Sequence, residues 1–135
     1  MTKTREDVER LLETRDRHFE LMDDGTIVIP LVSGHAPAML RVEPPVIVMQ
    51  VNIGETEFSN LAQEVAFYKR LLELNAQGLL HAAYGLEGGR VVLTAALELD
   101  NLDPNELEAA LADLGLALVE HVPSLRTMVS AATKV

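Results

Sequence analysis

The side chains that could do chemistry are scattered. The four histidines, His18, His35, His81 and His121, never fall at the HExxH-like spacing that sets two metal ligands on one helical turn. They read as surface or hydrogen-bonded structural groups. Ser33 and His35 put a hydroxyl near an imidazole, as nucleophilic catalysis would need. Residues so close along the chain do not aim at one another, and no GxSxG elbow presents the serine. Gly85, Gly88 and Gly89 suggest a phosphate cradle, yet they lack GxGxxG spacing, no Walker lysine follows, and they lead from strand to strand. They read as hairpin glycines. The carboxylate pairs Glu98 with Asp100 and Glu106 with Asp113 could exchange protons only if an apolar pocket lifted one pKa, and no such pocket is legible around them. Solvated charge is the simpler reading. There is no cysteine, which excludes disulfides, thiolate chemistry and Cys-ligated zinc or iron–sulfur centres. The expectation is no catalytic centre, no metal and no cofactor.

The composition is that of a soluble single domain spanning residues 1–135, with hydrophobic residues at 48% and charged ones at 24%. A chain of this length buries about two-thirds of its unfolded surface and needs no staple. Met1 to Arg10 is charged and has no apolar signal-peptide core, and no run approaches the ~18 apolar residues of a membrane span, so a cytoplasmic protein without membrane insertion is expected. The net charge is −10, and between Val91 and Leu125 seven carboxylates, from Glu98 to Glu120, stand without a single Lys or Arg. Such a surface repels phosphate backbones and excludes nucleic acid as a partner, while favouring basic or amphipathic protein segments.

These side chains must be positioned by a helix, three strands, a helix, two strands and a helix. Thr4 with Glu6 and Asp7 starts a helix that runs to about Asp16 on Val8, Leu11 and Leu12. His18 to Met22 and Thr26 to Val32 form a hairpin around Asp23-Asp24-Gly25. Met39 to Ile53 is a third strand, interrupted by Pro44-Pro45 at a bulge or edge. A helix follows to Leu74, closed by Asn75 and Gly78 in the left-handed conformation such residues tolerate. Leu80 to Leu86 and Arg90 to Leu99 pair across Glu87-Gly88-Gly89. Asp103-Pro104-Asn105-Glu106 caps a last helix with Leu107, Leu111, Leu114, Leu118 and Val122 inward. Pro123 either kinks that helix or begins a separate short one. The result is an α+β fold, helix-strand-strand-strand-helix-strand-strand-helix, its antiparallel sheet carrying the helices mainly on one face.

The middle helix is apolar on two sides. Phe58, Leu61, Val65, Tyr68 and Leu72 make one stripe, and Phe67, Leu71 and Leu74 make a second, roughly 130° away at about 100° per residue. The chain's own sheet takes one stripe, and a second copy is expected to take the other. Strand Thr26 to Val32 is likewise apolar on both sides, with Val28, Pro30 and Val32 opposite Ile27, Ile29 and Leu31. Val46 and Val48 repeat this opposite Ile47, Met49 and Val51. Helices on one face leave that second sheet face open, and exposed apolar surface of this kind marks a partner site. Val28, Pro30, Val32, Val46 and Val48 are therefore the expected partner-binding residues, with Pro30 marking an edge where an extended peptide could add.

The order of elements, with the segment LLELNAQGLLHAAYGLEGGRVVLTAALEL from Leu71 to Leu99 and the later ELEAAL, resembles the type III secretion chaperone-like superfamily, which includes CesT-type chaperones and YbjN-type proteins. The resemblance implies a small acidic homodimer without cofactor or enzymatic activity, paired through its middle helix and the strand after it, and binding extended polypeptide on apolar patches. Carried onto this sequence, the pairing element is Phe67, Leu71, Leu74, Leu79, His81 and Ala83. A client-holding chaperone and a YbjN-type regulator of a folded signalling or secretion component are both compatible with it.

Overall fold

The computed structural model describes residues 2–130. Among the described residues, one antiparallel sheet of six strands carries four helices, an α+β architecture. Helix α1 (Arg5–Thr14) begins on a complete capping box: Thr4 accepts from the Asp7 amide, and Asp7 accepts from the Thr4 amide at 2.9 Å. Strands β1 (Glu20–Leu21) and β2 (Ile27–Ile29) flank the Asp-Gly turn, where Gly25 sits at φ +90° and Asp24 accepts from the Thr26 amide. Strand β2 is shorter than expected. Pro30 has no amide to donate, so the ladder ends there and Leu31 and Val32 turn in to pack against the core.

The single third strand expected from Met39 to Ile53 is two strands, β3 (Ala38–Glu43) and β4 (Val46–Glu55). Pro44-Pro45, joined by a cis peptide, forms the tight turn between them, and Glu43 pairs directly with Val46. Two prolines in succession fit a hairpin loop better than a ladder, because neither can donate. Helix α2 (Leu61–Gln77) is capped by Asn60, which accepts from the Gln63 amide at 2.8 Å. Strands β5 (Ala82–Glu87) and β6 (Arg90–Glu98) turn on Gly88 and Gly89, both at positive φ. Helix α3 (Pro104–Glu120) starts as the sequence announces, with Asp103 accepting from the Glu106 amide at 2.8 Å. His121 breaks the helical run and α4 (Val122–Arg126) follows, so Pro123 begins a separate short helix.

The strand order is β1-β2-β3-β4-β6-β5, so β6 returns between β4 and β5 and leaves β5 at one edge. Register fixes which side chains share a face. Leu40, Met49 and Ala95 form one inward row, and Ala38, Val51 and Leu93 another. These residues join Val8, Leu12, Phe67, Leu71, Leu74 and the whole expected α3 stripe in one buried core. The helices lie on this side of the sheet. At about 25 cal/mol per Å² of apolar surface, burial on this scale is what holds so small a domain together.

Candidate protein-binding interface

The opposite face of the sheet is built from the alternate positions. Val28, Met39, Gln50 and Thr94 align as one row, Arg41, Val48 and Ala96 as a second, and Glu43, Val46 and Glu98 as a third. Among the described residues no helix packs on them; α1 lies against α3 instead, with Arg15 and Arg17 bonded to Asn105 and Glu108. Val28, Met39, Val46 and Val48 are half-buried among themselves and their polar neighbours. Beside them a groove of about 350 Å³ is lined by Met39, Val48, Gln50 and Glu87. It shares Asp24, Thr26, Arg41 and Glu43 with a larger groove of about 580 Å³ that runs to Lys3 and Arg5 at the start of α1. The expected partner residues divide. Val28, Val46 and Val48 lie on this open face, and Pro30 is exposed just beyond β2, which is not the edge strand expected because β1 pairs with its free side. Val32 does not lie there: its Cγ2 is 3.9 Å from where a Cβ on Gly115 of α3 would stand, on the core side.

The two stripes of α2 take the opposite sides from those expected. Phe67, Leu71 and Leu74, read from the sequence as the pairing surface, are buried in the chain's own core. Leu61, Val65 and Leu72 are 71%, 57% and 69% exposed, while Phe58 and Tyr68 are partly buried against Phe67 in an aromatic cluster with centroids 5.4–6.1 Å apart. A spacing of residues states that two faces exist, and both are about equally apolar. The packing of α2 beside β5 decides between them. Of the remaining pairing residues, Leu79 is half-buried against the core, and His81 and Ala83 are exposed with Leu80.

The junction between α2 and β5 is held by polar groups the sequence did not single out. Asp113 Oδ2 accepts from the amides of Leu80, His81 and Ala82 at 3.1, 2.8 and 2.9 Å. Asn75 Oδ1 accepts from the Tyr84 amide at 2.6 Å while its Nδ2 donates to the Tyr84 carbonyl. The backbone groups that β5 turns away from β6 are thus occupied at Ala82 and Tyr84, which closes this part of the sheet edge to strand addition. Asp113 is 8% exposed, so the expectation of a solvated Glu106–Asp113 pair fails: Asp113 caps amides, and Glu106 sits against Asp103, which raises its pKa. Asn75 likewise does not end the helix. Gly78 does, at φ −102°, in the right-handed region rather than the left-handed one expected, and its missing side chain matters because His121 lies against it. Tyr84 Oη and His121 Nδ1 are 3.0 Å apart. Burial, then the Asp113 charge, pushes the Tyr84 phenol up, and burial lowers His121.

Among the described residues no group of three His, Asp or Glu side chains is placed to hold a metal ion, and no helix is long and apolar enough to cross a membrane. Comparison with known proteins bears on the fold. The fold aligns with a chain of the heterodimeric ExoU–SpcU complex from the type III secretion system of Pseudomonas aeruginosa, with TM-score 0.68 and 17% identity over 91% of this chain and 98% of that one. It also aligns with YbjN from E. coli (TM-score 0.60, 9% identity, 96% and 90% covered). A third likeness is to the Yersinia pestis type III secretion chaperone SycH bound to a YscM2 fragment (0.56, 14%, 87% and 94%). No curated protein matches the chain in sequence. The profile of the CesT_Tir_1 family nevertheless matches residues 1–131, nearly the full length, and the chain belongs to that family.

Proposed function

We propose that this chain is a non-enzymatic, chaperone-like protein-binding module, working as a cytoplasmic homodimer without cofactor, that holds an apolar or basic polypeptide segment on the open face of its sheet. One observation carries the reading: Val28, Met39, Val46 and Val48 line a face on which no helix of the described residues packs, continuous with the grooves that run to the start of α1. Family membership supports it, as do the protein complexes among the structural neighbours. The pairing surface belongs to α2, through its exposed stripe of Leu61, Val65 and Leu72; Ala83, in register with Thr94, belongs with the open sheet face instead. Glu64 and Lys69 flank that stripe with opposite signs of charge, which suits contact between identical surfaces.

The test is affinity purification of the wild-type chain and a Val48→Asp variant from the native host, with mass spectrometry of what co-purifies. A protein recovered with the wild type, lost with the variant and protease-sensitive when separated supports the chaperone reading. Recovery of no protein, together with tight binding of a metabolite, would sink it. Likeness to YbjN favours a second reading, a regulator acting on a folded signalling or secretion component, and that partner would resist proteolysis when freed.

A further inference from the structure

The helix α3 has a solvent face that neither the core nor the proposed surfaces use. Ala109, Ala112, Leu116 and Val119 recur at helical spacing and all are exposed, Leu116 by 50% and Val119 by 54%. Leu80 extends the patch. It is 91% exposed, and its amide is bonded to the Asp113 carboxylate, which places it beside the same stretch of α3. A leucine so fully in water, next to two more large apolar side chains on one ridge, is the arrangement that marks a docking surface.

The charges choose the occupant. Glu106 and Glu120 flank the ridge on the side toward Leu80, and α3 itself contains no Lys or Arg. The cations near it come from other elements: Arg15 and Arg17 reach Asn105 and Glu108 on the flank toward α1, and Arg70 approaches His121 beyond the ridge. Another acidic copy of this chain would set carboxylate against carboxylate there, whereas the α2 stripe carries both signs. We infer that the ridge of Leu80, Ala109, Ala112, Leu116 and Val119 docks a basic amphipathic helix of a partner protein, with leucine-type side chains on the ridge and lysines or arginines over Glu106 and Glu120. This surface is separate from the open sheet face, so the chain can engage a partner helix and an extended segment together.

The probe is a synthetic amphipathic Leu/Lys helical peptide titrated into the isotope-labelled full chain, with amide shifts followed by NMR. Binding on the order of 10 μM is expected, with the largest shifts at Leu80, Ala112, Leu116 and Val119. The double variant Leu116→Ser with Val119→Ser should weaken it about tenfold while the melting temperature holds. Glu106→Gln with Glu120→Gln should weaken it and flatten its salt dependence. A Leu/Glu peptide of the same pattern, or a scrambled Leu/Lys peptide, binding as well would overturn the proposal. So would absence of binding, shifts centred on Val48 or Leu72, or a change in oligomeric mass on substituting Leu116, which would make the ridge a self-contact. Val48→Asp should leave peptide binding intact, so this test and that of the sheet face fail separately.

Discussion

Asp113 shows how far one side chain departs from what its neighbours in sequence suggest. In the run of carboxylates from Glu98 to Glu120 it looks like one more solvated charge. Folded, a single oxygen gathers three successive amides of the α2–β5 connection. Replacing it with alanine strands those donors where water reaches them poorly, and a loss of about 3 kcal/mol is expected, read as a lower urea midpoint with faster hydrogen exchange at residues 80–82. His121 and Tyr84 give the fold a pH signature. The folded chain holds His121 below its ordinary value of 6.5, so as pH falls through that value the unfolded chain takes up the proton first. Stability therefore declines with acidification below about 6.5 and levels off once the folded form is protonated too; His121→Phe should flatten that slope in urea melts. Tyr84 acts at the other end: its raised phenol stays neutral in the fold, and stability is lost as pH rises above the ordinary value of 10.0.

Elements inherit their limits from such contacts. Gly78 has a right-handed φ that alanine accepts, yet a Cβ there would stand 3.1 Å from the His121 ring and from the Leu74 carbonyl. Gly78→Ala should cost about 1–2 kcal/mol through overpacking, and adding His121→Ala should recover only part, because the carbonyl remains. The stripes of α2 separate under substitution just as clearly. Leu71→Ala opens the core and should cost about 2–5 kcal/mol, while Leu72→Ala, one position on, should change stability by no more than about 0.5 kcal/mol. Thermal melts of the two variants measure the difference. Element boundaries were legible where capping chemistry is local, at Thr4 and at Asp103-Pro104. They were illegible at Pro44-Pro45, because proline's missing amide forbids ladder bonding without saying whether the chain bulges or turns back.

At the scale of the molecule, three apolar surfaces remain after the core is filled, the one on α3 flanked by carboxylates. If α2 pairs two copies, Leu72→Glu should convert the wild-type mass to that of a monomer in light scattering, with the melting transition of each subunit retained. An unchanged mass would remove α2 from the interface. The open sheet face was readable from the double-sided apolar pattern of Val46 and Val48, and two-residue alternation placed them correctly. Val32 was misplaced because the alternation holds only while the strand continues, and Pro30 ends it.

By itself the amino-acid order determined the class of fold, the order of its elements apart from the β3–β4 hairpin and the short α4, the inward stripe of α3 and the existence of two apolar sides on α2. Periodicity and capping act within a few residues, and those features need nothing more. Only the tertiary structure decided which side of α2 faces inward, that Asp113 is buried, and that Leu80 stands in solvent beside α3. Each of these depends on groups brought together across thirty or more positions, such as Asp113 with the Leu80 and Ala82 amides, and no local pattern of residue types encodes which of two equally apolar faces a sheet will cover.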